Sequence, residues 1–168
     1  MSSSLPDRVE IARQVQARRI YDGELPLASM RRLCGSLAST EGVARYNVEF
    51  GKDRFGISFI ALRVEAELPL TCQRTLDIFE YPVSIDQRLG VIAAESEESG
   101  LPEGYEPLLA PEGDLSIAEV IEDELILALP VVPLKPGEPL EWNDPLSDDE
   151  VEEPKPNPFA VLGQLKKH

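Results

Sequence analysis

An α+β fold is what this sequence predicts: a mostly antiparallel, curved sheet with flanking helices, then an acidic linker and a short C-terminal docking helix. Three observations lead there. Runs of apolar–polar alternation lie close together at 44–50, 60–70 and 79–85, the period of half-buried strands. Segments of helical spacing flank them. Prolines collect late, eight of the 15 following Leu129, where a packed core is not expected to continue. The chain accordingly divides into an α+β domain over residues 1–138, an acidic Pro-rich linker over 139–156 and a docking motif over 157–168.

The elements follow in order. Asp7 to Arg19 reads as a helix with a weak stripe of Val9, Ala12, Gln16 and Ile20, and Arg19 to Leu25 as a short extended piece. Leu27, Met30, Leu33, Cys34 and Leu37 repeat at helical spacing, with Pro26 near the first turn and Gly42 beyond the end. Cys34 is thereby expected on the buried face as a small core residue. Ala44, Tyr46, Val48 and Phe50 form one strand face. Ile60, Leu62, Val64, Ala66, Leu68 and Leu70 form a second, and Phe79, Tyr81, Val83 and Ile85 a third. Pro69 lacks a backbone donor, which puts its end of the strand at a sheet edge. Short links at Gly51–Gly56 and Thr71–Leu76 imply a meander. Glu95 to Gly100 reads as a loop and Tyr105 to Leu109 as a short strand. Ser116 is a helix cap for Ile117 to Leu129, which Pro130 ends. The apolar face is Ile117, Val120, Ile121, Leu125, Ala128 and Leu129, and Ile126 and Leu127 predict deep burial of the C-terminal half.

Charge is divided unevenly. Residues 1–88 carry 12 acidic and 12 basic side chains, and residues 89–168 carry 19 and 4, so the net charge of −15 lies in the second half. Such a surface repels nucleic acid and attracts cationic partners. No window reaches the roughly 18 apolar residues a membrane span requires, and the first residues have no apolar signal core. Two cysteines do not make a disulfide framework, and a cytoplasmic location is expected. The lone histidine, His168, leaves no partner for a Ser–His or Cys–His dyad, and no cofactor is expected.

Four constellations are candidates for chemistry or binding. Cys72-Gln73-Arg74-Thr75 has the spacing of a zinc knuckle with a hydroxyl in the second ligand position, and it reads as a hairpin turn with one exposed thiol. Glu119, Glu122, Asp123 and Glu124 share a helix and are candidate partner-binding residues. They could hold Mg²⁺, although an acidic solvent face accounts for them more simply, and no metal is expected. Arg8, Arg13, Arg18, Arg19, Arg31 and Arg32 are candidate RNA contacts, with solvated helix faces as the plainer account. Asn157, Pro158, Phe159 and Leu162 form the candidate docking motif, with Asn157 as cap and Pro158 as first helical residue. A helix that short orders only against a groove.

Three stretches together resemble the YceD family of bacterial large ribosomal RNA subunit accumulation proteins: Leu70-Thr71-Cys72-Gln73-Arg74, Glu122 to Pro130, and Asn157-Pro158-Phe159-Ala160-Val161-Leu162. Tyr105-Glu106-Pro107 also fits. The resemblance implies a cytosolic protein needed for synthesis, processing or stability of large-subunit rRNA, and no established catalytic activity. Many members look like Cys-x-x-Cys at the turn, with a His and a Cys after the helix. This chain has Thr75 and then Val131-Val132-Pro133-Leu134, so a metal site of that kind would be lost here. The expectation is a non-catalytic assembly factor. Its acidic half engages a basic ribosomal protein or an rRNA-processing enzyme, with large-subunit rRNA a further candidate partner and neither membrane nor DNA involved. Two other readings stay open at this point: a metal-dependent ribonuclease using the acidic helix, and a pure protein adaptor working through the C-terminal motif.

Overall fold

Alternation along the chain becomes a five-stranded sheet with one apolar face. The computed structural model describes residues 5–137. Its elements are β1 (Val9–Glu10), α1 (Ile11–Ala17), β2 (Ile20–Pro26), α2 (Arg31–Cys34), β3 (Val43–Lys52), β4 (Ser58–Thr71), β5 (Ile78–Ile92), β6 (Glu106–Leu109), β7 (Asp114–Leu115) and α3 (Ile117–Leu127). The sheet order is β2-β3-β4-β5-β6, and β1 pairs with β7 in a separate ribbon. Neighbours from β2 to β5 run antiparallel, whereas β6 lies parallel to β5. The chain divides into two units, Met1–Pro136 and Gly137–His168. The linker over 139–156 and the docking motif over 157–168 lie outside the described residues.

The register keeps the alternating faces together. Tyr46 lies opposite Val64, which lies opposite Ile85, and Phe50 opposite Ile60, which lies opposite Leu89. These residues join one core with Leu27, Met30 and Leu33, with Ile11 and Val15 of α1, and with Ile117, Ile121 and Leu125 of α3. Helix α1 rests on β3 and β4, and α2 packs on α3. The Tyr21 hydroxyl donates to Gln14 at 2.9 Å, tying α1 to β2. Pro69 sits where pairing with β3 has already ended, at Ala66, and its carbonyl accepts the Ala38 N–H at 2.8 Å. The missing donor therefore faces a side without a strand.

Several expectations are corrected. The first helix is shorter, and its buried residues are Ile11 and Val15; Val9 belongs to β1, and Ala12, Gln16 and Ile20 are exposed. Arg18 ends it in a left-handed conformation, φ 47°. The second helix breaks into a 3-10 turn at Leu27–Ser29 and the single turn of α2. Leu27, Met30 and Leu33 are buried as expected, but Cys34 is only half-buried, its thiol donating to the Leu27 carbonyl at 3.2 Å. Glu95–Gly100 is a 3-10 helix. Strand β5 runs on to Ile92, past the expected end at Ile85. Helix α3 stops at Leu127, and that residue is 76% exposed, against the deep burial expected there. The Ser116 cap holds, its hydroxyl accepting the Glu119 N–H. No helix of the described residues is long and apolar enough to cross a membrane.

Candidate functional site

The acidic helix and the arginines meet each other. Glu122 is buried. Its Oε1 accepts the backbone N–H of Arg32 at 2.7 Å and of Leu33 at 3.1 Å, and its Oε2 accepts from the Arg32 guanidinium at 3.2 and 3.1 Å. The Arg32 guanidinium also donates to Asp123. A short helix leaves its first N–H groups without partners, and Glu122 supplies that acceptor to α2 from another element. Burial alone would raise the Glu122 carboxyl. The Leu33 and Arg32 N–H groups and the Arg32 charge outweigh it and hold the carboxyl below its usual range. Arg32 is correspondingly raised, by its bonds to Glu122 and Asp123.

The other predicted residues divide. Arg8 donates to Asp114 at 2.9 Å across the β1–β7 ribbon. Arg13, Arg18, Arg19 and Arg31 are exposed and make no ion pair among the described residues. Glu119 is exposed and Glu124 half-buried. Burial pushes the Glu124 carboxyl up, Glu106 and Asp123 adding to it against an opposing contact from Gln87. Among the described residues no group of three His, Cys, Asp or Glu side chains is placed to hold a metal ion. Asn157, Pro158, Phe159 and Leu162 lie outside the described residues.

The outer face of the sheet carries two features that spacing did not single out. At one end a groove of about 730 Å³ is lined by Glu41, Glu65, Glu67 and Glu80, with Arg45 beside them. Arg45 is paired with Glu24 at 3.0 Å. These carboxylates come from the charge-balanced half of the chain. The register places Glu65 opposite Ser84, Glu67 opposite Pro82 and Pro69 opposite Glu80, so outward positions of one hairpin gather three of them, and Glu41 comes from the segment before β3. At the other end a cleft of about 550 Å³ is lined by Ala61, Arg63, Arg88 and Tyr105, among others. The signal available in the sequence was the outward parity of β4 and β5.

Cys72 corrects the expectation of an exposed thiol, since it is fully buried. Leu76, at φ 62°, closes the turn with its N–H on the Cys72 carbonyl, and the Gln73 N–H reaches the Pro133 carbonyl. The Cys72 Sγ accepts the Lys135 N–H at 3.4 Å. That N–H, then the hydroxyl and N–H of Thr75, lower the thiol to about 6 against the opposing effect of burial. Thr75 thus donates to the sulfur at the position where a second cysteine would stand in a metal knuckle. The turn and the segment after α3 form one unit around the Cys72 sulfur. A folded-state pKa below the ordinary thiol value of 9.0 means stability that grows as pH rises from about 6 to 9, and is lost as pH falls through about 6. Urea unfolding across that range is expected to show the rise in the wild-type chain and a flatter profile in Cys72→Ala.

The profile of the family described as "Large ribosomal RNA subunit accumulation protein YceD" matches residues 60–166. A Haemophilus influenzae protein named large ribosomal RNA subunit accumulation protein YceD is 30% identical over 168 aligned residues, covering 96% of each chain. No solved structure matches.

Proposed function

The chain belongs to the YceD family, and from that membership we propose that it acts as a non-catalytic, cytoplasmic factor in accumulation of large-subunit ribosomal RNA. It works by binding a basic partner protein, a ribosomal protein or an rRNA-processing enzyme. The observation that carries the binding mode is the net charge of −15. Affinity for RNA rests on neutralising phosphates, which this chain as a whole opposes, whereas a cationic protein is attracted to it. The groove of Glu41, Glu65, Glu67 and Glu80 and the exposed Glu119 supply carboxylates not locked into the α2–α3 clamp. Glu122 and Asp123 are already engaged by Arg32, which speaks against their serving as metal ligands of a nuclease.

The test is capture of partners by the tagged full chain across a salt series, with rRNA accumulation followed in cells lacking a family member. Captured proteins should be basic and should be released as salt shortens the Debye length below about 8–10 Å. Replacing Glu65, Glu67 and Glu80 together by Gln should weaken capture. Partners retained undiminished at high salt would remove the electrostatic account. Failure of the wild-type chain to restore large-subunit rRNA would remove the role.

A further inference from the structure

The reading above uses the acidic end of the outer sheet face and leaves the opposite end unexplained. There the register sets Ala61 across from Arg88 and Arg63 across from Asp86. The Arg88 guanidinium lies 4.6 Å from the centre of the Phe59 ring and 5.7 Å from that of Tyr105. The two rings meet edge to face at 6.4 Å. Tyr105 is fixed in turn: its hydroxyl donates to Asp53 at 3.0 Å, and Asp53 accepts the N–H groups of Phe55 and Ile57. Backbone room for this stack comes from Gly51, where a Cβ would collide with the Phe59 ring.

Arg88 differs from its neighbours. Arg45 is paired with Glu24 and Arg63 with Asp86, whereas Arg88 is exposed and has no carboxylate partner among the described residues. It is a planar cation backed by two rings at the wall of a cleft floored by Ala61. The adjoining hairpin tip adds Lys52 and Arg54, the latter 4.7 Å from the centre of Phe55, a ring 66% exposed. Guanidinium planes and aromatic rings are what unstacked bases pack against, and arginine also meets phosphate in a planar fork. Asp86 and Glu106 also line the cleft, so its cationic surface is short, which suits a few unpaired nucleotides and not a long duplex.

We propose that the cleft over Ala61 binds single-stranded RNA, one base stacking on Arg88 and Tyr105 and the backbone running past Arg63 and Arg54. The proposal rests on the rRNA role above and adds a direct RNA contact at a place distinct from the arginines of the N-terminal segment. It also makes the outer sheet face two-ended, with carboxylates for a basic protein at one end and a stacking cleft for RNA at the other.

The test measures fluorescence anisotropy of a labelled short single-stranded RNA of mixed sequence with the full chain at low salt. Wild type should bind. Arg88→Ala should weaken binding about tenfold, the size expected from losing one stacked base. Arg88→Lys, which keeps the charge and loses the plane, should weaken it in the same direction. An RNA duplex should compete poorly. No binding by wild type, equal binding by Arg88→Ala, or equal competition by duplex would each overturn the proposal. So would an Arg88→Ala chain that loses its captured protein partner while its RNA affinity is unchanged, because the cleft would then be a protein site. Restoration of rRNA by wild type is scored separately. If it succeeds while RNA binding is absent, only the cleft proposal fails; if wild type does not restore rRNA, the role itself fails.

Discussion

Glu122→Ala is expected to destabilise the folded chain by about 3 kcal/mol, the sum of stranding a buried donor and losing a charged hydrogen bond. The carboxylate accepts two backbone N–H groups at the start of α2, one of them on the fully buried Leu33. Water does not replace it readily there. Arg32→Ala should cost far less, because the guanidinium side chain is 53% exposed and the N–H groups keep their acceptor. Glu122→Gln retains an oxygen in place of Oε1 for both N–H groups but replaces Oε2, the acceptor of the Arg32 guanidinium, with an amide NH2, and should fall between the two. The same carboxylate sets an acid limb. Its folded-state pKa is depressed, so the stabilisation is present above the ordinary carboxylate value of 4.5 and is lost as pH falls through the lower folded value. Urea midpoints at neutral and acid pH for the three variants check both statements. A Glu122→Ala chain as stable as Arg32→Ala would mean that α2 does not depend on this acceptor.

What the residues disclosed in advance follows from what local pattern encodes. The faces of β3 and β4 were legible because Ala44 to Phe50 and Ile60 to Leu70 alternate with charged neighbours, which marks one face as buried and the other as wet. The end of β5 was hidden for the same reason. Leu89, Gly90 and Ile92 are all buried, since β6 and the Leu101–Tyr105 segment cover them, and alternation vanishes where both faces are covered. The Arg32–Glu122 clamp joins residues 90 positions apart, a distance no local period reports. One hint existed: Glu122 lies between Ile121 and Leu125 on the apolar side of α3. An acid in that position needs a buried partner. The groove of Glu65, Glu67 and Glu80 needed strand register, and the Arg88 stack needed Gly51 and Tyr105 in space.

Helix α3 supplies the sharpest contrast between neighbours. Leu125 is fully buried and Leu127 is 76% exposed, although both stand in the run Leu125-Ile126-Leu127 that looks apolar all round. Leu125→Ala removes side-chain contacts from the core beside Ile121, and should cost about 3–4 kcal/mol from lost burial and the residual cavity. Leu127→Ala removes apolar surface that already faces solvent and places a good helix former in the last turn, so it should stay within about 0.5 kcal/mol of wild type. Denaturant midpoints at fixed slope give both values. Because α3 presents Glu122 to α2, loosening it at Leu125 should also release the Leu33 N–H. Hydrogen exchange at that amide is therefore expected to rise by more than the global loss of stability alone explains. Equal costs at Leu125 and Leu127 would mean that Leu127 is covered in solution, and the helix would then be packed against something on its far side as well.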